Sequence, residues 1–246
     1  MRAAFSILPF ALLAWPLAAQ TQELSAGVLS LSAPQYAGAQ DYEFGVVPFL
    51  RYETERLTVT TRGAGIAVDL VPGPRLNAGP ILSYDFGRDP SEIDNAFVAA
   101  LPQVDATLEI GGFAEIAHPL PSLGDGLFLG AGIEVRTAVD GGHDGTIYSP
   151  SIGLRSVQDG TTITGDLSLT ITDDRYADAY FSGGGFDPDG GLQDISVSVV
   201  ATHPLTDRLS LIGLLSVSAY QGDAADSPVT TDNTDYLLGI GTAFNF

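Results

Sequence analysis

From about residue 24 to its end, the chain places apolar side chains at every second position, segment after segment. That period of two belongs to strands with one face in an apolar medium, and almost no stretch carries the 3.6-residue period of a helix. The last segment is representative. Tyr236, Leu238, Ile240, Thr242, Phe244 and Phe246 share one face; Asp235, Leu237, Gly239, Gly241, Ala243 and Asn245 share the other. The same division separates Leu127, Leu129, Ala131, Ile133 and Val135 from Gly130, Gly132, Glu134 and Arg136, and Ile163, Leu167, Leu169 and Ile171 from Thr164, Asp166, Ser168 and Thr170. Alternation alone leaves two architectures open. A soluble sandwich turns its apolar face inward, whereas a membrane barrel turns it towards lipid and lines its lumen with the polar face.

The connections separate them. Twelve strands are expected, centred on 25–33, 44–53, 57–62, 65–70, 75–86, 106–118, 127–139, 146–157, 161–172, 194–203, 208–220 and 235–246. The even-numbered connections, 54–56, 71–74, 119–126, 158–160 and 204–207, are tight. The odd ones, 34–43, 87–105, 140–145, 173–193 and 221–234, are mostly longer, with one exception, the third, at Gly63-Ala64. Short turns at one rim and long loops at the other predict an all-β, antiparallel transmembrane outer-membrane β-barrel of about twelve strands, with both termini on the periplasmic side. The chain ends on Phe246 with apolar residues at alternate positions before it, as barrels of this class commonly do.

Arg2 followed by an apolar run to Leu13, and then by Leu17-Ala18-Ala19, predicts a cleaved signal peptide over residues 1–19, with the barrel domain over 20–246. Cysteine is absent, which excludes disulfides and thiolate metal sites. The formal charge is −20, from 30 acids against 10 cations, all arginine. That balance excludes nucleic acid as a partner, because its ligands neutralise phosphates with basic groups.

Ordered blocks along the chain carry a family resemblance. They are Pro34-Gln35-Tyr36-Ala37-Gly38 with Asp41-Tyr42, Val47-Pro48-Phe49, Gly79-Pro80, Tyr84-Asp85-Phe86-Gly87-Arg88 and Gly112-Phe113-Ala114-Glu115. Towards the C-terminus follow Gly141-Gly142-His143, Asp173-Asp174-Arg175-Tyr176 with Tyr180-Phe181, Gly191-Leu192-Gln193-Asp194 and Gly222-Asp223-Ala224-Ala225-Asp226-Ser227-Pro228. With these the chain resembles the MipA/OmpV family of outer-membrane proteins, named for an interactor of the murein lytic transglycosylase MltA. It departs at Ala39-Gln40, where Ser and Asp are expected, and at Asn245, where a basic residue is common. The resemblance implies a barrel set in outer-membrane lipid and lipopolysaccharide. It also implies a scaffold joining a murein lytic transglycosylase to a penicillin-binding murein synthase.

Three acidic groups fall in the long connections: Asp85, Asp89, Glu92 and Asp94; Asp173, Asp174, Asp178, Asp187, Asp189 and Asp194; and Asp223, Asp226, Asp232 and Asp235. Carboxylates suit divalent cations, but Asp187-Pro188-Asp189-Gly190 lacks the downstream Glu of a calcium loop, and a solvated acidic surface is the better reading. On the polar strand face, Arg51, Arg62, Glu109, Glu115, Glu134, Arg136, Arg155 and Asp166 mix both signs. They read as a salt-bridge lattice filling a small barrel in preference to an ion-selective channel lining, since uncompensated buried charge is costly. Of the three histidines, His118 and His203 lie at the short-turn rim, and His143 with Asp144 is the one candidate acid–base pair in a long loop, which local turn polarity explains as well. Nothing else resembles catalytic machinery. The expectation is a non-enzymatic envelope scaffold with no catalytic, cofactor or metal residues; the alternative is a narrow channel for small solutes or ions. The nine tyrosines lie mostly near strand ends, as interfacial girdles do.

Overall fold

A strand buried in hydrocarbon on one face and in a lumen on the other must pair both its backbone edges, and only a closed sheet does this for every strand. A computed structural model, describing residues 23–246, shows that closure. The strands of the described residues are β1 (Glu23–Pro34), β2 (Tyr42–Glu53), β3 (Thr58–Arg62), β4 (Gly65–Asp69), β5 (Leu76–Asp85), β6 (Thr107–Pro119), β7 (Leu127–Ala138), β8 (Thr146–Gln158), β9 (Thr161–Thr172), β10 (Gly191–Pro204), β11 (Leu209–Tyr220) and β12 (Thr234–Asn245). All twelve expected segments are strands, with ends displaced by no more than three residues. The largest displacement is at β10, which continues past a register shift between Leu192 and Asp194. The export signal expected at residues 1–19 lies outside the described residues.

Every strand is antiparallel to its sequence neighbours, and β1 closes on β12. Asn245 has a role at this seam: it accepts a hydrogen bond from Ser25 Oγ at 2.5 Å, while Phe246 N–H donates to Leu24 O. The Asp159-Gly160 turn has both residues at positive φ, the geometry of a two-residue hairpin matched to strand twist.

The face assignment holds. Leu129, Leu238, Ile240 and Ile163 point outward and exposed, while Glu109, Glu134, Arg136 and Asp166 point inward and buried. Tyr42, Tyr84, Tyr148 and Tyr236 are exposed at the long-loop ends of their strands and form an aromatic girdle there. Phe244 and Phe246, edge to face at 5.1 Å, stand at the opposite rim. No helix among the described residues is long and apolar enough to cross a membrane.

The long connections are folded, not irregular. α1 (Asp174–Phe181) starts at Asp173, whose carboxylate accepts from Tyr176 N–H, and α2 (Gly222–Asp226) follows β11. Phe181, Tyr176, Tyr180, Tyr220, Val104 and Ile147 bury one another beneath α1. Tyr36, Ala39, Val98 and Val229 make a second small core that ties three loops together. The result is a cap across the long-loop rim.

The short third connection has a structural consequence. β3 pairs with β2 only at Arg51↔Thr60, Tyr52↔Val59 and Glu53↔Thr58, and β4 pairs with β5 at Ile66↔Leu82 and Ala67↔Ile81. The β3–β4 hairpin therefore stops below the long-loop rim, and residues 42–49 of β2 have β1 on one side and no strand on the other.

Candidate functional site

Within the lumen, charged side chains from β3, β5, β6, β7 and the β7–β8 loop join end to end. Arg62 bridges Glu115 and Glu134, with a 3.2 Å contact to the latter. Arg136 bridges Glu134, at 2.8 Å from its Nε, and Glu109. His143 Nε2 lies 3.1 Å from Glu109 and 3.9 Å from Asp85. Asp85 in turn accepts from the Tyr180 hydroxyl at 2.5 Å. Alternation on neighbouring strands is what makes this chain. Residues 109 and 115 share the inward face of β6, 134 and 136 that of β7, and the ladder sets the two strands side by side. The Arg62 guanidinium also lies 4.5 Å from the centre of the Phe113 ring, which shields one of its faces.

Removing two arginines and three glutamates from water is repaid only when each charge has an opposite neighbour. Signs alternate along the run, so it stiffens one wall of the lumen and leaves no lone charge within it. The lattice expected from the sequence is present for Arg62, Glu109, Glu115, Glu134 and Arg136. It does not extend to the other three. Arg51 pairs with Glu53 two residues along its own strand. Arg155 makes no ion pair among the described residues, and both Asp166 oxygens are buried without a hydrogen bond. Arg51 and Arg155 stand on the flanking strands β2 and β8 but nearer the short-turn rim, opposite Thr60 and Phe128, and Asp166 is on β9.

His143 differs from its sequence-based reading. The sequence sets it beside Asp144, but Asp144 is exposed at φ 51° and the His143 side chain is wholly buried. The chain turn at Gly141-Gly142, both at positive φ, drops the imidazole beneath the cap against Tyr176, 4.8 Å between ring centres. Gly145 N–H donates to His143 Nδ1 at 3.0 Å, so Nε2 carries the proton and donates to Glu109. Asp85, Glu109 and His143 bring three ligand atoms within 4.8 Å of one another, close enough to share a metal ion. The proton pattern opposes that use. A metal at Nε2 needs the proton on Nδ1, where Gly145 already donates, and Glu109 is engaged by Arg136. The cluster holds a proton between loop and wall and acts as a latch.

Above it, a cleft of about 470 Å³ opens between loops, lined by Arg88, Arg175, Asp144 and Asp178. Arg88 Nη1 donates to Tyr180 O at 2.7 Å and caps the last turn of α1. Burial raises the Tyr176 and Tyr180 phenols well above their ordinary value, with the Asp85 carboxylate adding to the shift, so both hydroxyls remain protonated donors.

The acidic groups are not uniformly a solvated surface. Asp85, Asp194 and Asp235 turn inward. Asp235 accepts from Tyr220 Oη at 2.6 Å and from Gly38 N–H, and Asp194 from Ser196 Oγ at 2.7 Å. In the Asp187–Gly190 turn, backbone N–H groups of Asp189 and Gly190 donate to Asp223 and Asp174, which tie the loops as hydrogen-bond acceptors. His118 and His203 are exposed at the short-turn rim, and His203 Nδ1 lies 2.8 Å from Thr161 Oγ1.

The sequence matches the family model described as MltA-interacting protein MipA over residues 26–246. No curated protein matches it. Among solved structures, an outer-membrane channel from Pseudomonas putida F1 is similar, with a TM-score of 0.55 at 14% identity, covering 93% of this chain and 97% of that one. OmpT of Vibrio cholerae matches with a TM-score of 0.41 at 9% identity, over 94% of this chain and 99% of that one. At 14% identity the likeness to the Pseudomonas putida channel is one of fold.

Proposed function

The chain belongs to the MipA family and is an outer-membrane barrel, and from that premise we propose that it is a non-enzymatic, non-conducting envelope scaffold. In this reading residues 1–19 are removed on export, both termini and the short turns face the periplasm, and the capped rim faces outward. The partners are a murein lytic transglycosylase, after the family's description, and a penicillin-binding murein synthase. The single observation that carries the partner surface is at the short-turn rim. Leu70, Val71, Leu123 and Leu205 stand exposed there, with Leu123 at 74% exposure. Exposed aliphatic groups spread round one rim offer contacts to a protein partner.

The non-conducting part rests on the cap and on the pairing of Arg62 and Arg136 with Glu109, Glu115 and Glu134 along one lumen wall. The narrow-channel alternative draws on the fold shared with a channel. Two measurements test the proposal. Immobilised protein should retain purified lytic transglycosylase, and Leu123→Asp with Leu205→Asp should weaken retention at least tenfold; equal retention removes the proposed surface. In planar bilayers the protein should give no steady openings, and steady, ion-selective ones would establish the channel instead.

A further inference from the structure

The gap in the barrel wall above the β3–β4 hairpin lies beside the membrane. Leu50 N–H donates to Thr61 Oγ1 at 2.9 Å, so Leu50 turns its backbone groups towards β3. By the two-residue alternation of a strand, Pro48, Val46 and Phe44 turn theirs the same way, into the gap. No backbone partner meets them among the described residues. The stretch covers on the order of 25 Å of strand at the usual rise per residue. A proline at this place fits an open edge, because it has no N–H to leave unpaired. The side chains agree. Phe44 is 82% exposed, against 63% for Ile240 and 61% for Ile116 within the complete wall. Open sheet edges are costly in hydrocarbon, so the gap calls for an occupant that is mostly apolar and can accept a hydrogen bond.

What lies behind the gap is mostly apolar, with Glu43, opposite Ala33, as the exception. Leu31, Ala33 and Leu237 form a buried cluster on the lumen side of β1 and β12, joined by Leu29, Val47 and Leu214. The charged run occupies β3, β6 and β7 instead, so the lumen has an apolar sector and a charged one. Phe86 joins the two sides of the wall. Its ring meets the girdle residue Tyr84 edge to face at 4.9 Å, and it also packs against the Leu31–Leu237 cluster. The turn that aims it inward is held by Asp85, whose carboxylate accepts from Gly87 N–H at 2.7 Å, with Gly87 at φ +70°.

We propose that this gap is a side port that admits a fatty acyl chain from the adjoining membrane leaflet into the apolar sector of the lumen, with Phe86 as its gate. The chain lies against Leu31, Val47 and Leu237, and the carboxyl or ester carbonyl remains at the wall, where the N–H groups of Phe44 and Val46 donate to it. The port does not depend on the murein-scaffold reading.

The test places the protein in lipid nanodiscs doped with palmitic acid carrying a terminal diazirine and, in a parallel sample, with phosphatidylethanolamine carrying the diazirine on an acyl chain. After irradiation, labelled residues are mapped by mass spectrometry. The proposal expects labels on Leu31, Val47 and Leu237 from at least one of the two; which one identifies the source as free acid or phospholipid. Phe86→Ala should raise lumen labelling severalfold and Phe86→Trp should reduce it. A four-residue insertion at Gly63-Ala64 that preserves alternation should extend the hairpin and abolish it. The gel shift of heated against unheated samples checks the fold of each variant. Labels confined to lipid-facing residues such as Leu238, unchanged by either Phe86 variant, overturn the port.

Discussion

His143 Nε2 donates to Glu109 at 3.1 Å across 34 residues of sequence, and this contact fastens the β7–β8 loop to the barrel wall. It is the joint at which the charged run of the lumen meets the cap. His143→Ala removes a buried donor from Glu109 and an acceptor from Gly145. It should cost about 1–3 kcal/mol, the usual penalty for stranding buried polar groups. The checking measurement is hydrogen exchange, which should speed up at residues 140–145 and in α1 and remain unchanged at the β1–β12 seam. Uniform protection across all three would show that the latch contributes nothing.

Arg136 holds two carboxylates, so Arg136→Met should be among the most damaging lumen substitutions. Breaking a buried pair from one side costs about 3–5 kcal/mol because the remaining charge has no partner. Here Glu109 and Glu134 are both left. Adding Glu109→Gln and Glu134→Gln to Arg136→Met should recover most of the loss in urea unfolding from lipid vesicles. If the triple variant is no more stable than the single one, pairing is not what holds this wall.

Alkaline pH should loosen the cap before the barrel. Burial raises the Tyr176 and Tyr180 phenols well above 10.0 in the folded state. Unfolded phenols ionise near 10 and these do not, so the folded state binds more protons there, and stability falls as pH rises above 10. The stabilisation is complete below that pH. Absorbance at 295 nm should show late-titrating phenols, and Tyr176→Phe with Tyr180→Phe should remove part of the alkaline loss of protease resistance in the loops. Normal titration of all tyrosines would contradict this.

Face assignment is tested by arginine placement. Leu129→Arg and Leu238→Arg put a cation in lipid, at about 2–4 kcal/mol near the midplane. Ser168→Arg puts one in the lumen, on the same face of β9 as Asp166, whose two oxygens have no hydrogen-bond partner. The first two should reduce insertion of folded barrel into vesicles, and the third should not. Equal effects would reverse the faces.

Much of this molecule was readable in advance, and the reason is local. Period-two alternation gives the strands and assigns each side chain to lipid or lumen, because a strand's geometry repeats every two residues whatever it pairs with. Loop lengths give the barrel. The even spacing of Glu109 and Glu115, and of Glu134 and Arg136, predicts that charges line the lumen. It does not predict which meet, and Arg155 and Asp166 were expected in a lattice that stops short of them. His143 was read with its neighbour Asp144, since sequence offers only neighbours. Its acceptor Glu109 and the aromatic wall of Tyr176 come from other segments. Asp85, Asp194 and Asp235 were counted as surface because they flank loops, and position along the chain does not say that the cap closes over them.

The sequence by itself determined a twelve-strand barrel, its two faces, its membrane and its family. It also contained the exception, a two-residue Gly63-Ala64 turn where the other connections at that rim are longer. Only the tertiary structure decided what the exception means. Whether a short hairpin leaves an opening depends on the register of β3 against β2 and of β4 against β5, and on whether another side chain fills the space. Those are relations between segments brought together by closure of the sheet. Phe86 stands in the sequence only as one member of the Tyr84-Asp85-Phe86-Gly87-Arg88 block; in the closed barrel it reaches from Tyr84 on the outside to Leu31 and Leu237 within.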